Sequence, residues 1–152
     1  MKKELASLAI AFFALAFCGA AEELCPKAFG VGAPALLAAA AYMSLRRPPV
    51  EGLLFAAAAG FAEDALSSLP FAMSACFFVA VAAVLRGFKL PLAFAAPAYP
   101  AYQIWLWMWF GSELNGSIFM RMAMSVPAGA ATLFAVAWAL LYVDGKAAMD
   151  EA

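Results

Sequence analysis

The sequence predicts an all-α fold, a polytopic membrane helix bundle of about six transmembrane helices with both termini cytoplasmic and one integral-membrane domain over residues 1–152. Three observations predict it. Hydrophobic residues make up 68% of the chain and charged residues 12%, against about 25% charged in soluble domains, and the mean hydropathy is +0.92. Six apolar runs have the length that crosses a hydrocarbon core, roughly 20 residues or about 17 in short, packed helices. Lys and Arg fall at every second junction between the runs, as the cytoplasmic loops of a membrane protein require.

The runs, in order, are 5–21, 28–45, 52–69, 71–85, 90–110 and 118–143. Lys2 and Lys3 precede the first, which also has the shape of a secretory signal, with small residues Gly19 and Ala21 before Glu22. Five further spans make a retained helix the better reading, and bulky Phe17 argues against lipoprotein processing at Cys18. A loop with Glu22, Glu23 and Lys27 leads to the second run, which ends at Arg46 and Arg47. The third and fourth are split by "SSLPF", a tight turn, and Arg86 and Lys89 close the fourth. The fifth ends in "YQIWLWMWF", where Tyr102, Trp105, Trp107, Trp109 and Phe110 read as an aromatic anchoring belt beside the exported loop "GSELNGS" with Glu113. The sixth precedes Lys146 and the tail "DGKAAMDEA", a solvated helix end. Pro34, Pro97, Pro100 and Pro127 fall inside spans and are expected to kink them. Runs such as "LLAAAAYMS" and "FAAAAGFAED" offer Ala and Gly for close helix approach.

Several functions are disfavoured. The chain has no histidine, which removes the commonest general base and metal ligand. The three cysteines, Cys18, Cys25 and Cys76, have neither disulfide nor zinc spacing. Cys18 and Cys76 read as small apolar residues, and Cys25 as a thiol near a membrane surface. A net charge of -1 offers no basic surface for nucleic acid. No nucleophile–base pair, phosphate loop or metal cluster is legible, so neither an enzyme nor a cofactor is expected.

The chemistry that needs explaining is in "GFAEDALSSLPF", where Glu63 and Asp64 interrupt an apolar run. Counted from Gly52 at 1.5 Å per residue, Asp64 lies roughly 18 Å deep, in the exported half. Gly60, Asp64 and Ser68 share one helix face, with Glu63 and Ser67 on the neighbouring strip. A carboxylate at a helix centre costs on the order of 3 kcal/mol on insertion scales, so a partner, a proton or water must compensate it. Arg121, near the exported end of the sixth run, is the candidate partner, pairing with Asp64 or else Glu63. The alternative is that both acids mark a helix end solvated by headgroups.

The run "RRPPVEGLLFAAAAGFAEDALSSLPFAMSACFFVAVAAVLR", Arg46 to Arg86, resembles the central region of MreD, the rod-shape-determining membrane protein family of bacteria. Arg46 or Arg47, Gly60, Asp64 and Ser67 match the positions of that family's arginine, glycine, aspartate and turn serine. Ser68 and Ala72 stand where glycine is common, so the turn departs from the pattern. The resemblance implies a non-catalytic scaffold in the cytoplasmic (inner) membrane that maintains rod shape by organising lateral peptidoglycan synthesis. It also implies MreC as a partner and, through it, a penicillin-binding transpeptidase, RodA and MreB. A homo-oligomer is compatible with it.

The rival function is a small transporter or a vitamin-uptake substrate-binding subunit, since intramembrane acids and proline-broken helices also build transport sites. Transport requires Glu63 or Asp64 on a solute-sized cavity. A scaffold requires a closed bundle.

Overall fold

Alanine-rich, weakly β-branched runs favour helices, and prolines set where several of them begin. The computed structural model describes the backbone of residues 2–29, 34–67, 69–110 and 116–149, and the side chains of 8–24, 34–67, 69–109 and 126–144. Six α-helices follow one another: α1 (Lys2–Phe29), α2 (Ala35–Arg46), α3 (Pro49–Leu66), α4 (Met73–Gly87), α5 (Ala98–Phe110) and α6 (Gly116–Met149), with a 3-10 turn over Leu92–Ala95 before α5. The described residues contain no strand.

The helices match the six predicted runs in order and depart from them at the ends. Glu22 and Glu23, predicted in a loop, are helical in α1, because Ala20 to Leu24 are all residues that favour continuing a helix. Pro34 does not kink a span; it stands at the N-cap of α2. Pro49 takes the first position of α3 with Pro48 as N-cap, where a missing amide costs nothing. The predicted fifth span is two pieces, since Pro91 and Pro97 flank the 3-10 turn and α5 begins only at Ala98. Pro97 therefore precedes a helix and Pro100 lies in the first turn of α5, where proline is tolerated. Pro127 lies well within α6.

Helix length qualifies the expectation of six membrane crossings. Among the described residues one stretch, Val126–Asp144 in α6, is long and apolar enough to span on length and composition, while α2 and α4 are shorter apolar helices. At 1.5 Å per residue α2 measures about 18 Å and α4 about 22 Å. The 18 residues of α3 include Glu51, Glu63 and Asp64.

The packing puts small residues inside and large ones outside. Every residue of α2 from Ala35 to Ser44 is buried, with α1, α3, α4, α6 and the 3-10 turn around it. The centre is largely alanine, including Ala39, Ala40, Ala56, Ala59 and Ala82. Meanwhile Phe12, Phe13, Phe17, Phe71, Phe134 and Trp138 are all at least two-thirds exposed or close to it. Alanines let the helix backbones approach closely.

Charges gather at opposite ends of the bundle. At one end Arg47 pairs with Asp144 of α6 at 3.2 Å, and Tyr42 donates to the same carboxylate at 2.9 Å. There too Arg86 of α4 donates to the carbonyls of Ser44 at 2.5 Å and Arg47 at 2.8 Å. At the other end lie Glu22, Glu63 and Asp64. The central helix α2 thus meets an anionic side chain at its N-terminus and a cationic one at its C-terminus, the arrangement its dipole favours.

Candidate functional site

The acidic end is built where α1, α3, α4 and α5 meet the start of α2. Gly60 and Asp64, one turn apart on α3, face the beginning of α4. A Cβ on Gly60 would lie 2.3 Å from the Ala75 Cα and 2.5 Å from its nitrogen, so only glycine lets the two backbones touch here. One turn on, Asp64 Oδ1 accepts the Ser74 amide at 2.8 Å. Helix amides in the first turn have no intrahelical partner, and Asp64 supplies one from the neighbouring helix. Ala72, the N-cap of α4, sits in the left-handed region at φ 67° and offers no side-chain cap of its own.

The same device recurs on α2. Its Leu36 amide donates to Glu22 Oε2 of α1 at 3.0 Å. The Glu22 carboxyl is near enough to Glu63 for their charges to interact, and Ser67 Oγ donates to Glu63 Oε1 at 3.0 Å. From α5, Tyr102 shares a 2.5 Å hydrogen bond with Ser74 Oγ. Tyr99, hydrogen-bonded to Gln103, is close enough to sense the Glu22 and Glu63 charges.

Glu63 and Asp64 are 7% and 5% exposed, so they do not face the surroundings as a solvated helix end would. Among the described residues, each keeps one buried oxygen without a donor, Glu63 Oε2 and Asp64 Oδ2. Asp64 also borders an open groove of about 360 Å³ lined by Phe61, Ala65, Leu69 and Phe71, with Phe61 and Phe71 stacked at 5.0 Å. Among the described residues no group of His, Cys, Asp and Glu is arranged to hold a metal ion.

The predicted residues separate into two sets. Gly60, Glu63, Asp64 and Ser67 come together at the acidic end. Arg46 and Arg47 lie at the far end of α2; the Arg46 guanidinium stands 5.9 Å from the Tyr42 ring centroid. The Arg121 side chain, like those of Cys25, Lys27, Phe110 and Lys146, and like Ser68 and Glu113, lies outside the described residues. The partner given to Asp64 is the Ser74 amide.

Sequence reasoning missed Glu22, Ser74, Tyr102 and Arg86. Tyr102, expected in an interfacial belt, is 6% exposed and belongs to the core. Its belt neighbours divide, with Trp109 exposed and Trp105 and Trp107 half-buried. Cys18 is buried and Cys76 exposed. Ser74 carried a signal, since a serine opening an apolar run is a common helix-start residue. Glu22 carried only its position at the same end of the bundle as Asp64.

No protein-family model matches the chain, and comparisons with curated proteins and with solved structures find no match.

Proposed function

We propose that this chain is a multi-pass protein of the bacterial cytoplasmic membrane, a non-catalytic scaffold of the cell-elongation machinery. It maintains rod shape by organising lateral peptidoglycan synthesis with MreC and, through MreC, with a penicillin-binding transpeptidase, RodA and MreB. The reading rests on the resemblance over Arg46–Arg86, and one observation carries it. The residues that define the resemblance, Gly60 and Asp64, are spent on joining α3 to α4, one by backbone contact and the other by capping Ser74.

A membrane setting is supported by the inverted distribution of residue size. Soluble monomers rarely expose contiguous apolar patches beyond a few hundred Å², yet Phe12, Phe13, Phe17, Phe134 and Trp138 look outward here around an alanine core. Lipid tails cover such a surface at no cost. The grouping of Arg47 and Arg86 at the end opposite Glu63 and Asp64 fits both termini facing the cytoplasm. Of the two helices too short to cross roughly 30 Å alone, α2 lies buried at the centre of the bundle and α4 buries one face against α2 and α3.

The second reading, a transporter or substrate-binding subunit, is favoured by the groove beside Asp64. Its walls argue for less, because Phe71 is 88% exposed and the lining residues come from α3 and the turn after it, with none from α2. Depletion in a rod-shaped host separates the two. Rounding of the cells, reversed by the native chain, supports the scaffold; rods that keep their shape while solute uptake falls support transport.

A further inference from the structure

Asp64 has two carboxylate oxygens, and the bundle uses one of them. Oδ1 holds the Ser74 amide at 2.8 Å. Oδ2, on a residue that is only 5% exposed, meets no donor among the described residues. A buried acceptor left without a hydrogen bond carries its full desolvation cost, which is larger for a charged group. Asp64 also borders the groove of about 360 Å³, and the other described lining residues, Phe61, Ala65, Leu69 and Phe71, are apolar. None of those side chains can donate to Oδ2 or balance its charge. A donor supplied through the groove would complete the carboxylate. We propose that this groove seats the headgroup of a phospholipid that bears a primary ammonium, the ammonium donating to Asp64 Oδ2 and the hydrocarbon lying along the exposed apolar rim. The inference rests on the membrane setting proposed above and not on the role in cell shape.

Three features select this occupant. A primary ammonium brings a positive charge and three N–H donors, and hydrogen bonds between charged groups are the stronger ones. A quaternary ammonium has the charge without an N–H, and an anionic headgroup is repelled. Phe61 and Phe71 stack with their centroids 5.0 Å apart, and aromatic faces attract ammonium groups. Asp64 lies in the last turn of α3, which ends at Leu66, so in a bilayer it stands towards the headgroups of the exported face. Phe71 is 88% exposed and Phe61 and Leu66 are each 40% exposed, which gives acyl chains an apolar surface beside the carboxylate. A water-soluble amine has no part that would use that surface.

The two oxygens then act separately. Oδ1 fixes α3 against α4, and Oδ2 ties that joint to the surrounding lipid. A ligand that binds only the folded bundle stabilises it by mass action, so the lipid composition of the bilayer sets how firmly the joint holds.

Native mass spectrometry of the full chain in neutral detergent micelles tests this. The micelles carry, at equal mole fraction and with the same acyl chains, phosphatidylethanolamine, its mono-, di- and trimethylated forms, or phosphatidylglycerol. Phosphatidylethanolamine is expected to be retained about tenfold better than the trimethylated form or phosphatidylglycerol. The drop comes at the third methyl, which removes the last N–H. Asp64→Asn, which keeps an acceptor for Ser74, abolishes the preference, and Phe71→Ala weakens it by about threefold. Equal retention of the unmethylated and trimethylated lipids by the native chain, or a preference that Asp64→Asn keeps, overturns the proposal. The methylation series is read on the native chain, so it decides the case even if Asp64→Asn fails to fold. A photoreactive phenylalanine analogue in place of Phe71 that crosslinks in cells to a polypeptide instead of lipid also overturns it, giving the groove to a protein partner or a second copy. A chain that stays in solution once detergent is removed refutes the membrane setting and the lipid site together. A chain that needs detergent yet retains every headgroup alike refutes the lipid site alone.

Discussion

Asp64 of α3 and the Ser74 amide of α4 lie 2.8 Å apart, and this one bond joins two helices that the chain connects only through a short turn. Four residues before it, Gly60 rests on the backbone of Ala75, the residue after Ser74. A close backbone approach and a charged cap at successive turns fix both the separation and the register of α3 against α4.

Removing the cap should cost stability without changing the fold. Asp64→Ala strands the Ser74 amide and is expected to destabilise by about 1–3 kcal/mol. Asp64→Asn retains an acceptor oxygen and should lose less than half as much. Unfolding in mixed micelles, followed by helical circular dichroism, measures both.

Gly60→Ala is expected to be worse than its single methyl suggests. The methyl meets backbone, which has no rotamer to change, so α3 and α4 must separate, at a cost of about 1–3 kcal/mol or more. Gly87→Ala is the matching control, since a Cβ there meets nothing within 4 Å. A similar fall in melting temperature for the two variants would remove the close-approach explanation.

Ala72→Gly should stabilise the protein. A left-handed backbone costs an L-residue roughly 1–2 kcal/mol, partly offset by the greater freedom of glycine in the unfolded chain, which leaves a net gain of about 0.5–1 kcal/mol. An unchanged or lowered melting temperature would count against the strain.

At the other end of the bundle Arg86 should matter more than Arg47. Arg86 serves two carbonyls at the end of α2, and Arg86→Met is expected to cost about 1–3 kcal/mol, with Arg86→Lys recovering part because one ammonium cannot reproduce the guanidinium fork. The Arg47–Asp144 pair is 23% and 29% exposed, so breaking it with Arg47→Gln should cost under about 1 kcal/mol. Equal losses from the two would mean that the carbonyl bonds contribute little.

Much of this architecture is written locally and some of it is not. Apolar run length and alternating basic junctions gave six helices in order, and the four-residue spacing gave the shared face of Gly60 and Asp64. The resemblance also marked position 72 as one where glycine is common, and there the backbone is left-handed. Helix ends were less legible, since Pro34 and Pro97 stop or start a helix depending on neighbours several residues away. Glu22, Tyr102 and Arg86 were out of reach for another reason. Their partners, at Leu36, Ser74, Ser44 and Arg47, are 14 to 42 positions distant, and no local pattern encodes such pairing.

The most direct test of the scaffold account compares Asp64→Asn with Asp64→Ala for both thermal stability and rescue of cell shape in a depleted rod-shaped host. A joint predicts that the two readouts move together, with Asp64→Asn close to native in stability and restoring rods, and Asp64→Ala weaker in both. An Asp64→Asn protein as stable as the native chain that leaves the cells round, or takes up no solute where the native chain does, would mean that the carboxylate acts on something other than Ser74.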